Sequence, residues 1–209
     1  MAVNVKPLPA RAKRVVETLD PDLLLRAYTL GIFPMADSAK AARVKWYEPL
    51  YRGVLPIEGF RLSKNVQRLY RNGPYRYSLN EAFAEVVAGC ADRPETWINP
   101  SIRAAYQALH QLGRAHSVEV WEGPALVGGL YGVALGGAFM GESMFRRRPE
   151  ADKLALWHCR NRLLARGFVL WDAQFWTAHL AQFGCAEIAQ AEYLTQLRVA
   201  LALPVQFDP

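Results

Sequence analysis

Three consecutive apolar runs, separated only by short turns, constrain the fold of this chain more than any other feature. Residues 116–121 alternate in character, with Val118 and Val120 on one face, and residues 125–135 and 138–145 follow after turns that contain glycine. Alternation with a period of two is typical of strands, and turns this short join antiparallel neighbours. The sequence therefore predicts an antiparallel meander in the second half of the chain.

Helix ends are marked on both sides of this meander. An N-cap followed by a first-turn proline stands at Asp20-Pro21 and again at Asn99-Pro100, and a third helix is predicted after Pro149. Residues 168–175 form a further apolar run, which we expect to be a strand. Meander, helix, strand and helix in this order are typical of an α+β fold of the acetyltransferase-like (GNAT) type.

The first quarter of the chain has a different character. Residues 35–56 are rich in proline and aromatic residues and are predicted to form an irregular connection. A chain of 209 residues is long enough for one main core with a smaller appendage. We therefore expect a small N-terminal α/β domain over residues 1–56 and the acetyltransferase-like domain over residues 57–209.

Composition restricts the compartment. No apolar run approaches the roughly 20 residues that a membrane span requires, and the basic N-terminus lacks the apolar core of a signal peptide. Three widely spaced cysteines argue against a disulfide framework and against a zinc site. We expect a cytoplasmic protein with no membrane partner and no metal.

The net charge of +6 permits a polyanionic partner, and its distribution is uneven. Between Glu58 and Glu81 there are five basic residues and no acidic one, and four of the five recur at helical spacing. A plain solvated basic face remains an equally open interpretation. These residues, called the basic segment below, are Arg61, Lys64, Arg68, Arg71 and Arg76.

The glycine-rich stretch 128–137 invites a nucleotide-binding interpretation that its context does not support. It contains no Gly-x-Gly-x-x-Gly and no glycine-lysine phosphate loop, and it lies in predicted strand. The loop with which acetyltransferases bind acetyl-CoA is also missing, and there is no Gly-x-Ser-x-Gly motif. Cys159 adjoins His158, but on the helix predicted there the two side chains would point about 100° apart and could not form a catalytic dyad. The chain is therefore predicted to transfer acyl groups without a cofactor and without a covalent intermediate.

Two carboxylates lie in otherwise apolar predicted strands. Glu142 falls within residues 138–145, and Asp172 falls within 168–175, two residues from Gln174 and so on the same predicted face. Charged groups are costly to bury unless they are paired or used. The residues alone leave two interpretations open, a structural ion pair, for instance with Arg160 or Lys153, and a functional site.

Seven collinear blocks of sequence decide between these interpretations. They are Tyr28 with residues 31–34, then residues 46–49, 96–98, 116–121, 127–133, 141–145 and 172–174. Together, over about residues 20–195, they resemble the leucyl/phenylalanyl-tRNA–protein transferase family. The resemblance implies an enzyme that transfers leucine or phenylalanine, with methionine as a further candidate donor, from aminoacyl-tRNA to a protein N-terminus bearing Arg or Lys. The product would enter the N-degron route of protein degradation.

The resemblance also implies site residues. Asp172 and Gln174 would orient the acceptor amine, with Asp172 drawing its charge, and Glu142 would bind the acceptor's guanidinium or ammonium group. The apolar pocket for the transferred side chain would be formed by Leu130, Phe139, Met144 and Trp171. Trp46 and Trp97 would offer aromatic faces to the terminal adenosine, and the basic segment would contact the tRNA backbone.

The chain departs from the family pattern at several positions. Trp171 stands where a smaller aliphatic residue is usual, which would favour leucine over phenylalanine, and Arg146-Arg147-Arg148 replaces a Ser-Arg pair. Two alternatives remain, a transferase that accepts N-terminal Asp or Glu and a non-catalytic tRNA-binding protein. Glu142, Asp172 and Gln174 argue against both, because an acidic acceptor requires a cation and a non-catalytic protein does not need these groups.

Overall fold

The computed structural model describes residues 10–16 and 19–208 and has an α+β architecture with two sheets. The strands are β1 (Ala10–Val16), β2 (Phe33–Ala36), β3 (Val44–Pro49), β4 (Tyr51–Leu55), β5 (Tyr75–Leu79), β6 (Ala115–Glu122), β7 (Ala125–Leu135), β8 (Ala138–Arg146), β9 (Leu170–Asp172) and β10 (Ala186–Ala189). The helices are α1 (Pro21–Thr29), α2 (Lys64–Asn72), α3 (Phe83–Ala91), α4 (Pro100–Gln111), α5 (Ala151–Ala165), α6 (Ala178–Ala181) and α7 (Gln190–Leu201). Within the described ranges, no helix has the length and apolar character that crossing a membrane demands.

The predicted helix starts are confirmed. The side chain of Asp20 accepts a hydrogen bond from the Leu23 amide at 3.0 Å, and that of Asn99 accepts one from the Ile102 amide at 2.9 Å. Each cap satisfies one of the amide groups that the first turn of a helix leaves without a partner. These two helices, α1 and α4, pack beside each other.

The small sheet has the order β1-β3-β2 and is antiparallel. The prediction of an irregular connection over residues 35–56 is wrong, because this range contains β3 and β4. In β3 the side chains of Val44 and Trp46 alternate inward while Lys45 and Tyr47 are less buried, which is the period of a half-buried strand. Proline and aromatic content concealed this alternation.

The large sheet has the order β10-β4-β9-β8-β7-β6-β5. The predicted meander is confirmed as β6, β7 and β8, which pair antiparallel, whereas β8 and β9 pair parallel. Strand β4 lies inside this sheet, between β10 and β9, although it precedes residue 57. The division into residues 1–56 and 57–209 stays a prediction.

Buried side chains form one apolar cluster on each face of the large sheet. Helices α3 and α4 cover one face together with β2 and β3, and α5 covers the other. Gly128 lies directly beneath α5, where an added Cβ atom would stand 2.6 Å from the Cβ of Ala151. The glycine-rich part of β7 therefore serves close packing of a helix on the sheet.

Candidate active site

The parallel strands β8 and β9 separate, and the gap between them is the candidate active site. They pair from Ala138–Leu170 to Met140–Asp172 and then diverge into a cleft of about 890 Å³. The predicted strand 168–175 therefore ends early, at Asp172. The cleft is lined from several elements, by Met35, Tyr47, Gly89, Asp92, Arg93, Trp97, Glu142, Ser143, Met144, Phe145, Arg146, Arg147, Asp152, Ala173, Gln174, Phe175, Thr177, His179 and Leu180.

Glu142 lies at the base of this cleft and is 7% exposed. Its two carboxylate oxygens accept hydrogen bonds from the hydroxyl groups of Tyr28 at 2.6 Å and Tyr106 at 2.7 Å. Burial raises the pKa of Glu142 to about 7, against the opposing effect of these two donors. The group is therefore balanced between its charged and neutral forms near neutral pH.

Sequence reasoning missed the roles of Tyr28 and Tyr106. They come from α1 and α4, are fully buried, and their hydroxyl groups also contact each other. Burial, and next the charge of Glu142, raises the pKa of both phenols, so both remain neutral donors. The available signal was a tyrosine at a buried position of each apolar helix face, since a buried hydroxyl group requires a partner.

Asp172 is completely buried and forms an ion pair with Arg52. Its Oδ1 accepts from the Arg52 Nε at 2.9 Å and from the Gln174 backbone amide at 2.7 Å. Its Oδ2 accepts from the Arg52 Nη2 at 2.6 Å and from the Tyr193 hydroxyl at 2.9 Å. These four hydrogen bonds occupy the acceptor positions of a carboxylate. A direct hydrogen bond from an acceptor amine would have to displace one of these four, so the expectation that Asp172 draws the charge of that amine stays a prediction.

The ion-pair partner also differs from the expected ones. Arg160 donates to the backbone carbonyls of Ile57 and Glu58, and Lys153 pairs with Glu150 at 2.7 Å. Arg52 lies in β4, the strand that pairs with β9, so its guanidinium lies next to Asp172. A third hydrogen bond, from Arg52 Nη1 to the Gly31 carbonyl at 2.8 Å, connects the pair to the turn after α1.

Gln174 projects into the cleft from a left-handed backbone conformation, with φ of 63°. Its backbone is held by the bond to Asp172 and by its carbonyl, which accepts from the Gly53 amide at 3.0 Å. Its side-chain amide interacts with Glu142 and lowers the pKa of that carboxyl group, although its Nε2 has no partner at full hydrogen-bonding geometry among the described residues. A buried amide donor without a partner is a group available to a ligand. Asp172 therefore shapes the site through Gln174.

A second, smaller cavity of about 100 Å³ adjoins the cleft, and Glu142 lines both. The structure brings Leu130, Met144 and Trp171 together in its wall, as expected for an apolar side-chain pocket. Phe139 does not line either cavity, because its ring stacks on Phe207 at 5.1 Å in the core.

The two predicted tryptophans have different environments. Trp97 lines the cleft, as do Glu142 and Gln174. Trp46 is 6% exposed within β3 and belongs to the core, so the expectation that it lies in a loop is wrong. The neighbouring Tyr47 lines the cleft in its place, since adjacent strand residues face opposite ways.

The basic segment is exposed along its length but lies outside both cavities. Lys64, Arg68 and Arg71 belong to α2, Arg61 precedes the helix, and Arg76 follows in β5. Of these five, only Arg76 forms an ion pair with another described residue, Glu81, at 2.8 Å. No group of three or more His, Cys, Asp or Glu side chains suited to a metal ion occurs within residues 10–16 and 19–208.

The fold has a counterpart among solved structures. The crystal structure of FemX matches 80% of this chain and 66% of its own, with a TM-score of 0.52 and 12% sequence identity. Together with the mixed sheet and its meander, this likeness confirms the predicted α+β fold of the acetyltransferase-like type. It says nothing about chemistry, since identity is low.

Sequence comparison identifies the family. Residues 54–198 match the leucyl/phenylalanyl-tRNA protein transferase family, and residues 17–50 match the N-terminal domain of the same family. The chain is 55% identical over 184 residues to the leucyl/phenylalanyl-tRNA–protein transferase of Ruegeria pomeroyi, covering 88% of each chain. It is 52% identical over 191 residues to that of Cereibacter sphaeroides, covering 91% of this chain and 89% of the relative. The chain belongs to the leucyl/phenylalanyl-tRNA–protein transferase family.

Proposed function

We propose that the chain transfers leucine or phenylalanine from aminoacyl-tRNA to the N-terminal Arg or Lys of an acceptor protein. One observation carries this proposal: a buried carboxylate, Glu142, lies where a small apolar cavity opens into a wide cleft. The apolar cavity suits a leucine side chain, and the cleft is wide enough for a nucleotide and a peptide end together. The family shown above performs transfer from tRNA to protein.

The donor occupies the apolar side of the site. Leu130, Met144 and Trp171 surround the transferred side chain, and Trp97 offers its ring to the terminal adenosine. Phe139 supports this pocket from the core without touching its contents, as its burial against Phe207 requires. The basic segment holds the tRNA backbone by phosphate contacts, which predicts that binding weakens steeply with salt.

The acceptor occupies the polar side of the site. Glu142 pairs with the guanidinium or ammonium group of its first residue, an interaction that requires the charged carboxylate. Tyr28 and Tyr106 stabilise that charge by their hydrogen bonds. The free amide of Gln174, positioned by Asp172, orients the attacking α-amine.

The reaction requires no enzyme nucleophile, because an aminoacyl ester is already activated. The neutral α-amine of the acceptor attacks the ester carbonyl, the bond between that carbon and the ribose oxygen breaks, and the ribose hydroxyl receives the proton that the amine loses. Correct orientation of the two reactants supplies much of the rate. The product carries leucine or phenylalanine at its N-terminus, and we place it in the cytoplasmic N-degron route.

The test is a matrix of radiolabelled donors and acceptors. Leu-, Phe- and Met-tRNA are each combined with peptides that start with Arg, Lys, Asp or Glu. We expect transfer to the Arg and Lys peptides, with leucine preferred. Glu142→Gln should raise the peptide KM more than it lowers kcat. Transfer to Asp or Glu peptides, or normal KM in the variant, would overturn the acceptor assignment.

A further inference from the structure

Four arginines lie at or beside the mouth of the cleft, and they divide into paired and unpaired groups. Arg146 Nη1 lies 3.5 Å from Asp152 Oδ1, and Arg148 Nε lies 2.8 Å from Glu122 Oε2. Arg93 and Arg147 form no ion pair with any residue in the described part of the chain, although both line the cleft. Unpaired cations that line a cavity indicate an anionic ligand.

The guanidinium of Arg93 is held in place by neutral groups. It follows α3 and donates through Nη2 to the Met144 carbonyl at 2.7 Å and to the Ser143 hydroxyl at 3.3 Å. Both acceptors belong to the diverging end of β8. These bonds orient the side chain without neutralising its charge, and its remaining donors are free among the described residues.

Arg147 is oriented in a similar way. Its Nη1 donates to the Leu126 carbonyl at 3.2 Å, and its guanidinium carbon lies over the Phe145 ring, 5.3 Å from the centroid. The same ring packs on Gly89 of α3, the helix that Arg93 follows. Arg93 and Arg147 therefore both contact the diverging end of β8, Arg93 at Ser143 and Met144 and Arg147 at Phe145.

These two arginines share the cleft with Trp97 and Glu142. The acidic residues that line it are Glu142 at its base, Asp152 beside Arg146, and the exposed Asp92. An arginine fork matches the geometry of a phosphate better than any other side chain. Because Trp97, Arg93 and Arg147 line one cleft, a nucleotide bound at Trp97 as proposed would bring the phosphates that precede it near the two arginines.

The sheet register relates the position of the arginines to that of the basic segment. Arg146 pairs with Gly128 near the start of β7, Glu122 at the end of β6 pairs with Tyr75 at the start of β5, and Arg148 bridges to Glu122. Strand β5 directly follows α2. The cleft and the C-terminal end of α2 therefore lie at the same end of the sheet, although α2 packs with α5 on the face opposite α3.

We propose that Arg93 and Arg147 form a phosphate clamp for the single-stranded 3′ end of the donor tRNA, separate from the basic segment. The clamp rests on the proposed function, since it deepens the donor side of that site. It holds the phosphates between the last nucleotides, whereas the basic segment holds those of the helical stem.

The test compares three donors that differ in how many phosphates they carry: leucyl-adenosine, leucyl-CpCpA and Leu-tRNA. Arg93→Gln with Arg147→Gln should lower kcat/KM roughly 10- to 100-fold for the second and third donors. The kcat/KM for leucyl-adenosine should stay within about twofold of the wild-type value, because that donor has no phosphate for the clamp to hold. Arg198→Gln, at an exposed position of α7 outside the cleft, is the matched control.

Arg68→Gln, in the basic segment, completes the design. This variant should lower kcat/KM for Leu-tRNA but not for leucyl-CpCpA, which lacks a stem. Equal losses of the clamp variant on all three donors would indicate a structural role, and an unchanged leucyl-CpCpA reaction would likewise overturn the clamp.

Binding of an uncharged CpCpA oligonucleotide separates the clamp from the proposed function. Wild type should bind it, and the clamp variant should bind it at least tenfold more weakly. The slope of log K against log salt concentration should become less steep by about 1.4 in the variant, because two phosphate contacts are lost. If wild type fails to transfer leucine or phenylalanine but binds CpCpA through Arg93 and Arg147, the proposed function is refuted and the clamp is not. Binding that does not depend on Arg93 and Arg147 would refute the clamp.

Discussion

Replacing Arg52 by glutamine should destabilise the protein far more than an ordinary loss of a surface ion pair. The guanidinium donates two hydrogen bonds to Asp172 and one to the Gly31 carbonyl, and the side chains of Arg52 and Asp172 are 2% and 0% exposed. Removing one member of a buried pair leaves the other charge uncompensated, which costs about 3–5 kcal/mol. For a chain of this size that corresponds to a Tm lower by roughly 6–20 °C.

The assay is thermal and urea unfolding followed by circular dichroism, with Arg76→Gln as the matched control. Arg76 forms a similarly short ion pair with Glu81, at 2.8 Å against 2.6 Å for Arg52 and Asp172, but both side chains of the control pair are about half exposed. Its loss should cost less than about 1 kcal/mol. Adding Asp172→Asn to Arg52→Gln removes the stranded charge and should recover a large part of the stability.

The same double variant tests what Asp172 does in the reaction. An asparagine oxygen at position 172 can still accept the Gln174 amide hydrogen bond, so transfer should return to a substantial fraction of wild type. If Arg52→Gln lowers the free energy of unfolding no more than Arg76→Gln does, the argument from the buried ion pair is refuted. A stable double variant with no transfer would show that the charge of Asp172 is itself required.

Three further outcomes follow from the site. Burial raises the pKa of Glu142 from 4.5 to about 7, so the folded state binds that proton more tightly than the unfolded state and loses about 3 kcal/mol of stability as pH rises from 4.5 to 7. Glu142→Gln lacks this titration, so urea unfolding should show its free energy of unfolding increasing relative to that of wild type between the two pH values. A difference in free energy that stays the same at both pH values would contradict this. The proposed pairing of Glu142 with the acceptor requires the charged carboxylate, so the KM for an Arg peptide should rise below pH 7 in wild type, and a KM that does not change with pH would contradict that pairing. Trp171→Ile should raise the kcat/KM ratio of Phe-tRNA to Leu-tRNA roughly tenfold, and an unaltered ratio would place Trp171 outside side-chain selection.

Local signals predicted much of the fold. The caps at Asp20 and Asn99 and the short turns of the meander act within a few residues, so one stretch of sequence contains all the information required. The pair between Arg52 and Asp172 joins residues 120 positions apart and depends on β4 entering the large sheet. Nothing local to either residue indicates that pairing.

Side-chain direction was the other limit. A period of two placed Asp172 and Gln174 on one face, but the chain leaves the strand at Asp172 and turns left-handed at Gln174. One carboxylate is thereby buried while the amide reaches the cleft. In β3 a shift of one position decides that Tyr47, and not Trp46, lines the cleft.

The hydrogen bonds of Arg52 have a consequence for modularity. The guanidinium connects the turn at Gly31 to Asp172, and its own strand lies between β9 and β10 of the large sheet. A gene fragment that began at residue 57 would encode most of the acyl-transfer fold but would lack the counter-ion of its buried carboxylate and an interior strand. A split protein that keeps this ion pair and this strand would therefore have to be cut at another position.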